Sequence, residues 1–322
     1  MRAIQIERFG GPEVLQLAEV ADPEPVAGLV PIEVTTAGVN YADTHQAEDS
    51  YLARQQLPLI PGAEVVGTDP DGHRVVALLG NGGYAERALA HPSVTFPLPE
   101  TVDDVTALAL VLQGTTAWHL LRTSARMEPT ESVVVISAAG GVGSLAVQLA
   151  RIWGAGRVIG TASSEEKRHV ARDLGADVTV DVSGVDAETV RERLVQANEG
   201  RPVDVVLEMT GGAVFDGSLA ALAPFGRLVT YGLASRRGPT PVSATALMRT
   251  SRAVIGFWLV QALRRRHGIG PAMEELLALA GSGGLRVLDG GHYPLADAAR
   301  AHQDLRSRRT AGKLVLDVRA RR

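Results

Sequence analysis

The sequence predicts an α/β protein in which a doubly wound parallel sheet is inserted into a β-rich domain. Short apolar strands alternate with helical patterns from about residue 133 to 259, which indicates a parallel sheet covered on both faces. A glycine-rich stretch follows the first of these strands directly. The segments on either side, 1–120 and 283–322, contain short strands and turns instead. These three observations carry the prediction.

Composition narrows the class of protein. The chain has 322 residues, 45% of them hydrophobic and 21% charged, which is typical of a globular protein of two domains. Its net charge of −4 argues against general affinity for nucleic acid. The absence of cysteine excludes disulfides and thiolate metal ligands. No apolar segment is long enough to cross a bilayer, and the first residues enter a strand pattern, so we expect a cytoplasmic protein without membrane partners.

The central region divides into six strands and four helices. The strands are predicted at 133–137, 157–161, 178–181, 203–208, 227–231 and 253–258. The helices are predicted at 142–153, 165–174, 188–199 and 214–223. Six strands match the two halves of a doubly wound fold, whose ligand lies at the carboxyl ends of the strands.

The stretch "ISAAGGVGSLAVQLA" joins the first strand to the first helix. A dinucleotide fingerprint has glycine at three places, of which the first is Ala138 here and the others are Gly140 and Gly143. Alanine at the first place adds a methyl group and still permits a turn of negative φ. A helix N-terminus offers backbone N–H groups and a positive dipole end to a phosphate. The predicted loop comprises Ala139, Gly140, Gly141, Val142 and Gly143.

The end of the second strand distinguishes NADH from NADPH. A carboxylate there binds the adenosine ribose and repels a 2′-phosphate. This chain has Thr161 and Ser163 instead, with Lys167 close behind, and hydroxyls with a cation favour NADPH. In the alternative interpretation Ser163 and Glu166 form the capping box of the next helix, and Lys167 is a surface residue.

The C-terminal segment predicts a strand, a helix and a strand that complete the first domain. We therefore expect one domain from residues 1–121 and 263–322, and a second from residues 122–262.

Several segments follow one family's order over nearly the whole chain: "GGPEVLQLAEVADPEP", "TAGVNYADTH", "LPLIPGAEVVG", "GNGGYAERA", "LVLQGTTAWHLL" and "DVVLEMTGG". With the glycine loop, they make the sequence resemble the zinc-independent medium-chain dehydrogenases/reductases of the quinone oxidoreductase type. The resemblance implies a GroES-like catalytic domain around a Rossmann domain that binds NADPH. It also implies hydride transfer to a quinone or another conjugated carbonyl, and a homodimer formed through the edge strand near Ala253 to Trp258.

Zinc-containing relatives share this architecture, and the positions of their zinc ligands can be located in this chain. Their cysteine ligand falls near Asn40 and Tyr41, and their histidine ligand falls at Ala63. Asparagine and alanine offer no suitable donor, and the four-cysteine lobe is missing, so no zinc is expected. Without a Lewis acid, reduction of an electrophilic acceptor is favoured over alcohol oxidation.

The resemblance also supplies catalytic candidates. Asn40 is expected to hold the cofactor ribose or carboxamide, and Tyr51 to donate a proton or orient the substrate oxygen. His45 replaces a tyrosine of many relatives, and it either donates a proton or lines the pocket. A packed tyrosine at the edge of a loop is the alternative for Tyr51.

Further cofactor contacts carry over from the family by position: Thr116, Gly232, Leu233, Phe257, Trp258, Leu259 and Lys313. Two departures concern the same cofactor. Val182 stands where relatives carry a tyrosine near the 2′-phosphate, and "LEMTGG" replaces "YDSVGG".

Two other functions remain open at this point. One is an enoyl or enone reductase acting on a 2-alkenoyl thioester, including one of secondary metabolism. The other is a non-catalytic NADPH-binding protein, against which Asn40, Tyr51 and Thr116 and the negative net charge argue.

Overall fold

The computed structural model describes residues 1–50 and 52–320, which divide into two compact units. Unit 1 comprises Met1–Gln113 and Arg266–Arg322, and unit 2 comprises Gly114–Arg265. The units are defined by the packing of the backbone. The domain boundaries expected from the sequence, at 121/122 and 262/263, therefore stay a prediction about independently folding domains.

Unit 1 is built on a mixed, largely antiparallel sheet. Its strands are β1 (Arg2–Gln5), β2 (Gln16–Glu19), β3 (Val30–Val39), β4 (Glu64–Thr68), β5 (Arg74–Leu78), β6 (Arg87–Ala90), β7 (Thr95–Pro97), β14 (Asp289–Pro294) and β15 (Lys313–Asp317). Its helices are α1 (Tyr41–Ala47), α2 (Asp104–Leu108), α10 (Gly270–Gly281) and α11 (Ala298–Arg306). The strand order is β14-β15-β3-β4-β5-β7, with β6 also paired to β3, and β1 pairs with β2 separately.

The C-terminal segment completes this sheet. β15 runs antiparallel to β3, and β14 runs parallel to β15. The predicted strand, helix and strand are therefore confirmed, and chain ends far apart in sequence share one hydrophobic core. That core includes Ile32 of β3, Val65 of β4 and Leu314 of β15, each at most 1% exposed.

Unit 2 carries a six-stranded parallel sheet. Its strands are β8 (Ser132–Val135), β9 (Arg157–Thr161), β10 (Val178–Val180), β11 (Val203–Glu208), β12 (Leu222–Thr230) and β13 (Ala253–Gly256). Its helices are α3 (Thr115–His119), α4 (Gly141–Ile152), α5 (Glu165–Asp173), α6 (Ala187–Ala197), α7 (Gly212–Ala221), α8 (Ala244–Thr250) and α9 (Leu259–Leu263). A π-helical segment, Leu120–Ala125, follows α3, and another, Ala109–Gly114, runs from the last residues of the first stretch of unit 1 to the first residue of unit 2.

The strand order β10-β9-β8-β11-β12-β13 is that of a doubly wound dinucleotide-binding sheet. The central strands are apolar runs buried on both faces, as Val133, Val134 and Val135 show with 0% exposure. The predicted fold class is confirmed. The first strand ends two residues earlier than predicted because Ser137 adopts φ 59°, which turns the chain out of the sheet.

None of the helices in the described residues has the length and apolar character needed to span a membrane.

Candidate active site

The glycine-rich loop turns tightly between β8 and α4. The N–H of Ala138 donates to the carbonyl of Thr161 on the neighbouring strand at 2.8 Å, and that of Gly140 donates to the carbonyl of Ser137 at 2.9 Å. A Cβ added at Gly143 would overlap the carbonyl oxygen of Ser137. The absence of a side chain at Gly143 therefore lets α4 pack closely against the end of β8.

The start of α4 differs from the starts of the next two helices. In α5 the side chain of Ser164 accepts a hydrogen bond from the Lys167 N–H, and in α6 that of Asp186 accepts one from the Thr189 N–H. The N-cap of α4 is Gly140, which has no side chain to do so. The backbone N–H groups of its first turn are thus available to an external anion, and a pyrophosphate fits this donor set.

The cofactor residues predicted in unit 2 lie in segments at one edge of the sheet. All six strands are parallel, so their carboxyl ends meet at the same edge. The loop follows β8 there, and the other segments are Thr161 and Ser163 at β9, Gly232 and Leu233 after β12, and Phe257, Trp258 and Leu259 after β13. Thr116 is buried within α3 of the same unit.

The helix that follows β9 is capped by a different serine from the one predicted. The helix cap is Ser164, whose side chain accepts from the Lys167 N–H at 3.3 Å, so the predicted capping box of Ser163 and Glu166 is wrong. Ser163 is exposed and Lys167 is half-buried. The hydroxyl of Thr161 accepts from the Ser137 N–H at 3.2 Å, which ties the glycine loop to the second strand.

Arg168 is a cation at this strand end that the sequence analysis missed. Its guanidinium donates to the carbonyl of Ala162 at 3.0 Å and pairs with Glu165 at 3.0 Å and Asp181 at 3.4 Å. It lies one residue beyond Lys167, and the signal for it was the "EEKR" run.

Glu208 ends β11 at the same edge and was also missed. One carboxylate oxygen accepts from the N–H groups of Thr210 at 2.6 Å and Gly211 at 2.9 Å, and the other is buried without a partner. Burial raises the pKa of Glu208 to about 7. A carboxyl group at this edge therefore changes its protonation near neutral pH.

His119 of α3 packs against Phe257, one of the residues predicted to contact the cofactor. Its ring stacks on that of Phe257, with centroids 6.1 Å apart and planes 22° apart, and its Nδ1 lies 2.9 Å from the hydroxyl of Thr123. Burial lowers the pKa of His119 to about 4, so the ring is neutral at physiological pH. A buried neutral ring thus supports Phe257 from behind.

In unit 1, a buried polar group, termed the Asn40 cluster, comprises Asn40, Glu64, Gln113 and Lys313. The amide nitrogen Nδ2 of Asn40 donates to Glu64 Oε1 at 2.9 Å. Its oxygen Oδ1 accepts from Gln113 Nε2 at 3.0 Å and from Lys313 Nζ at 3.3 Å. Lys313 forms an ion pair with Glu64, and both side chains are fully buried.

The sheet register brings this cluster together. Asn40 directly follows β3, which lies between β4 and β15, and Glu64 and Lys313 are the first residues of those two strands. Asn40 is also the N-cap of α1, and its N–H donates to Asp43 Oδ2 at 2.8 Å. A Cβ at Gly38 would overlap the Glu64 carboxylate, so only glycine fits there.

A second buried chain of polar groups continues from Asp43. The hydroxyl of Tyr84 donates to Asp43 at 2.9 Å and lies 3.0 Å from Nε2 of His302. Burial raises the pKa of Asp43 to about 7 and raises the pKa of Tyr84. Burial lowers the pKa of His302 to about 3, so this ring stays neutral.

Three more residues of unit 1 were predicted to belong to the site: Lys313, His45 and Tyr51. Lys313 was predicted as a cofactor contact, but its ammonium lies inside unit 1 against Glu64 and Asn40, and direct contact with the cofactor stays a prediction. His45 is buried, with Nδ1 2.9 Å from the hydroxyl of Ser50. Tyr51 lies outside the described residues.

Glu64 was not singled out from the sequence, and Lys313 was predicted only as a cofactor contact, although a signal for their ion pair was present. Each is a charged residue at the start of an apolar strand pattern, "EVVG" and "KLVL". Lysine and glutamate are almost never fully buried unless paired, so two such residues indicate an internal ion pair.

The residues at the zinc positions of related enzymes do not fit a metal. Both lone pairs of the Asn40 oxygen are occupied, and Ala63 offers no donor atom. Across 1–50 and 52–320, the group of acidic and histidine side chains close enough for a metal is Asp69, Asp71 and His73, on a turn at the surface.

Comparison with known proteins identifies the family. A family model described as zinc-binding dehydrogenase matches residues 141–281. The quinone oxidoreductase of Rattus norvegicus is 33% identical over 98% of this chain and 97% of its own length. The chain belongs to the quinone oxidoreductase type of medium-chain dehydrogenases/reductases.

Solved structures of this family match the whole chain. A mycobacterial protein solved in complex with NADPH is 36% identical, with a TM-score of 0.91 over 98% of this chain and 99% of its own. The Escherichia coli quinone oxidoreductase, also complexed with NADPH, is 31% identical with the same TM-score, over 98% and 100%.

Replacing Gly143 with alanine tests the packing of the glycine loop in this family member. Because the added Cβ meets backbone that cannot rotate away, we expect Gly143→Ala to lower the free energy of unfolding by about 1–3 kcal/mol. Chemical denaturation followed by circular dichroism measures this. Gly238→Ala, where a Cβ would contact nothing within 4 Å, is the control and should unfold like the wild type. Equal stability of all three proteins would contradict the packing argument.

Replacing His302 with glutamine tests its burial as a neutral ring. The unfolded chain takes up a proton near the ordinary histidine pKa of about 6.5, whereas the folded pKa is about 3. Stability present above pH 6.5 is therefore lost as pH falls between these values, by about 2 kcal/mol at pH 5. Urea denaturation should show a smaller loss between pH 7.5 and pH 5 in His302→Gln. The exposed His169→Gln should keep the wild-type loss, and an unchanged loss in His302→Gln would refute the assignment.

Proposed function

We propose that this chain is an NADPH-dependent oxidoreductase that reduces a quinone or another conjugated carbonyl without a metal. The observation that carries the proposal is full-length similarity to quinone oxidoreductases, with 33% identity over 98% of the chain. The uncapped, glycine-rich start of α4 supports it, because this donor set suits a pyrophosphate.

NADPH, when bound, supplies a hydride from C4 of its nicotinamide. The protein's part is to bind and orient the reactants. The backbone N–H groups of Gly141 and Val142 would hold the pyrophosphate at the start of α4, where Gly140 lets it approach the backbone closely. Phe257, supported by the neutral ring of His119, would meet the carboxamide end.

Two cations support NADPH over NADH. Lys167 and Arg168 lie at the start of α5, directly after β9, where the adenosine ribose lies in doubly wound folds. Neither Thr161 nor Ser163 brings a carboxylate to the strand end. Both NADPH preference and a cytoplasmic location are parts of the proposal that enzyme assays and fractionation can test.

The outermost strand of the unit 2 sheet supports a homodimer. β13 is the last strand in the order, and an unpaired edge is a template for another chain. Phe225 on the neighbouring strand β12 and Met248 on α8, just before β13, are each 79% exposed, and α8 has no buried residue. Exposed apolar residues beside an open strand edge favour a two-fold pairing of β13 with its copy.

The activity is tested by following NADPH consumption in the presence of a chelator. We expect turnover with a quinone, and Tyr51→Phe to lower it at least tenfold if Tyr51 donates a proton, since proton transfer by a side chain contributes about 100-fold or more. A 2-enoyl thioester is assayed in parallel. Preference for the thioester would make the chain an enoyl reductase, and NADPH binding without turnover of any acceptor would favour a non-catalytic protein.

The dimer is tested by light scattering coupled to size-exclusion chromatography. The wild type should have twice the chain mass of 33.9 kDa, and Met248→Glu should reduce it to a single chain because a charge would be buried in the interface. Ile152→Glu, at a side chain 44% exposed on α4, is the control and should stay dimeric. A monomeric wild type would rule out the dimer.

A further inference from the structure

The Asn40 cluster fixes which end of the Asn40 amide can reach a ligand. The oxygen Oδ1 accepts from the Gln113 N–H and the Lys313 ammonium, and the capping box of α1 also brings the Asp43 N–H to the Asn40 side chain. On the other side, one of the two Nδ2 hydrogens is held by Glu64. The group that remains is the second N–H. Asn40 can therefore donate a hydrogen bond to a ligand and cannot accept one.

The ion pair enforces this orientation. If the amide were turned over, its NH₂ group would face the Lys313 ammonium and its oxygen would face the Glu64 carboxylate, and both contacts would be repulsive. Lys313 is satisfied by Glu64, Asn40 and the carbonyl of Val39 at 3.5 Å. Buried charges held this way have a single low-energy arrangement.

The Lys313 charge also strengthens the remaining donor, and the Glu64 carboxylate, which accepts the other N–H, fixes its direction. An ammonium and an amide N–H both polarise the carbonyl end of Asn40, which makes its N–H groups more positive, and the effect is large where water is excluded. Asn40, Glu64 and Lys313 are each at most 4% exposed. Such a donor favours an oxygen that gains negative charge during the reaction over a neutral hydroxyl or carboxamide.

Resting on the proposed function, we propose that Glu64 and Lys313 are positioning residues that hold Asn40 as the hydrogen-bond donor to the oxygen of the electron acceptor. A quinone that takes a hydride, with its two electrons, from C4 of the reduced nicotinamide becomes a hydroquinone anion, and the nicotinamide becomes its oxidised cation. The anion then takes one proton, from a side chain or from water. Asn40 stabilises the oxygen that carries the negative charge before that proton arrives.

The test is a double-mutant cycle on the full chain. Glu64→Gln with Lys313→Met removes both charges and keeps the volume, so the amide is held only by Gln113 and the capping box of α1. Asn40→Ser removes the donor and keeps a good N-cap for α1. The hydride-transfer rate is measured in single turnovers, and the Kd of NADPH is measured separately.

We expect the pair variant to slow hydride transfer by about 10- to 100-fold, at or below the loss of a full oxyanion donor. The Kd of NADPH should stay within about twofold, and Asn40→Ser combined with the pair variant should be little slower than Asn40→Ser alone. Glu131→Gln with Arg227→Met removes an ion pair of 2.6 Å in unit 2, with side chains 22% and 17% exposed, and should leave the rate unchanged.

Gln113→Met provides a second variant if the pair variant does not fold. It removes one donor to Asn40 Oδ1 and keeps the ion pair, so it should give a smaller loss that is also non-additive with Asn40→Ser.

Three results would overturn the proposal. Additive effects would mean that the pair does not act through Asn40, and an unchanged rate would mean that the orientation of Asn40 does not matter. A tenfold rise in the Kd of NADPH with an unchanged rate would mean that Asn40 holds the cofactor. Absence of turnover in the wild type would overturn the proposed function as well, whereas turnover with any of the other three results would overturn the positioning role alone.

Discussion

The burial of a lysine and a glutamate at the same end of the unit 1 sheet constrains everything around them. Removing each ion from water costs several kcal/mol, which the ion pair and its further hydrogen bonds must offset. Lys313 contacts Glu64, Asn40 and the carbonyl of Val39, and Glu64 Oε1 accepts from both Lys313 and Asn40, whereas Glu64 Oε2 is buried without a hydrogen-bond partner. The pair joins β15 and β4 to the end of β3, and it leaves Asn40 a single orientation. The pairing of these strands and the orientation of Asn40 therefore depend on the same contact.

In unit 2, the side of the sheet where the strands have their carboxyl ends is shaped mainly by the backbone. The parallel strands bring their carboxyl ends to one side, and Ser137 and Gly143 let α4 begin directly behind β8. Because Gly140 has no side chain to cap the helix, an anion can take the place of that cap. Side chains such as His119 support the segments that border this edge. Binding of an anionic cofactor thus needs few charged residues, which agrees with a net charge of −4.

In both units, burial raises the pKa of acidic side chains and lowers the pKa of histidines. Asp43 and Glu208 are held against ionisation until near neutral pH, whereas His119 and His302 are held neutral down to pH about 4 and about 3. In each case water is excluded and the charged form is penalised. Burial also raises the pKa of Glu64, and the Lys313 ammonium beside it opposes that shift.

The sequence by itself determined the doubly wound sheet and the place of the glycine loop, because apolar runs, helical periodicity and glycines are local signals. β9 and β11 begin and end at the predicted residues for the same reason. Local signals were less decisive for the cap of α5, where two adjacent serines compete and backbone geometry selects Ser164. Only the tertiary structure decided the surroundings of Asn40. Lys313 and Glu64 are 249 residues apart, and they meet because β15 and β4 flank β3. No local pattern encodes such a contact, since burial and strand order, which create it, are properties of the folded chain.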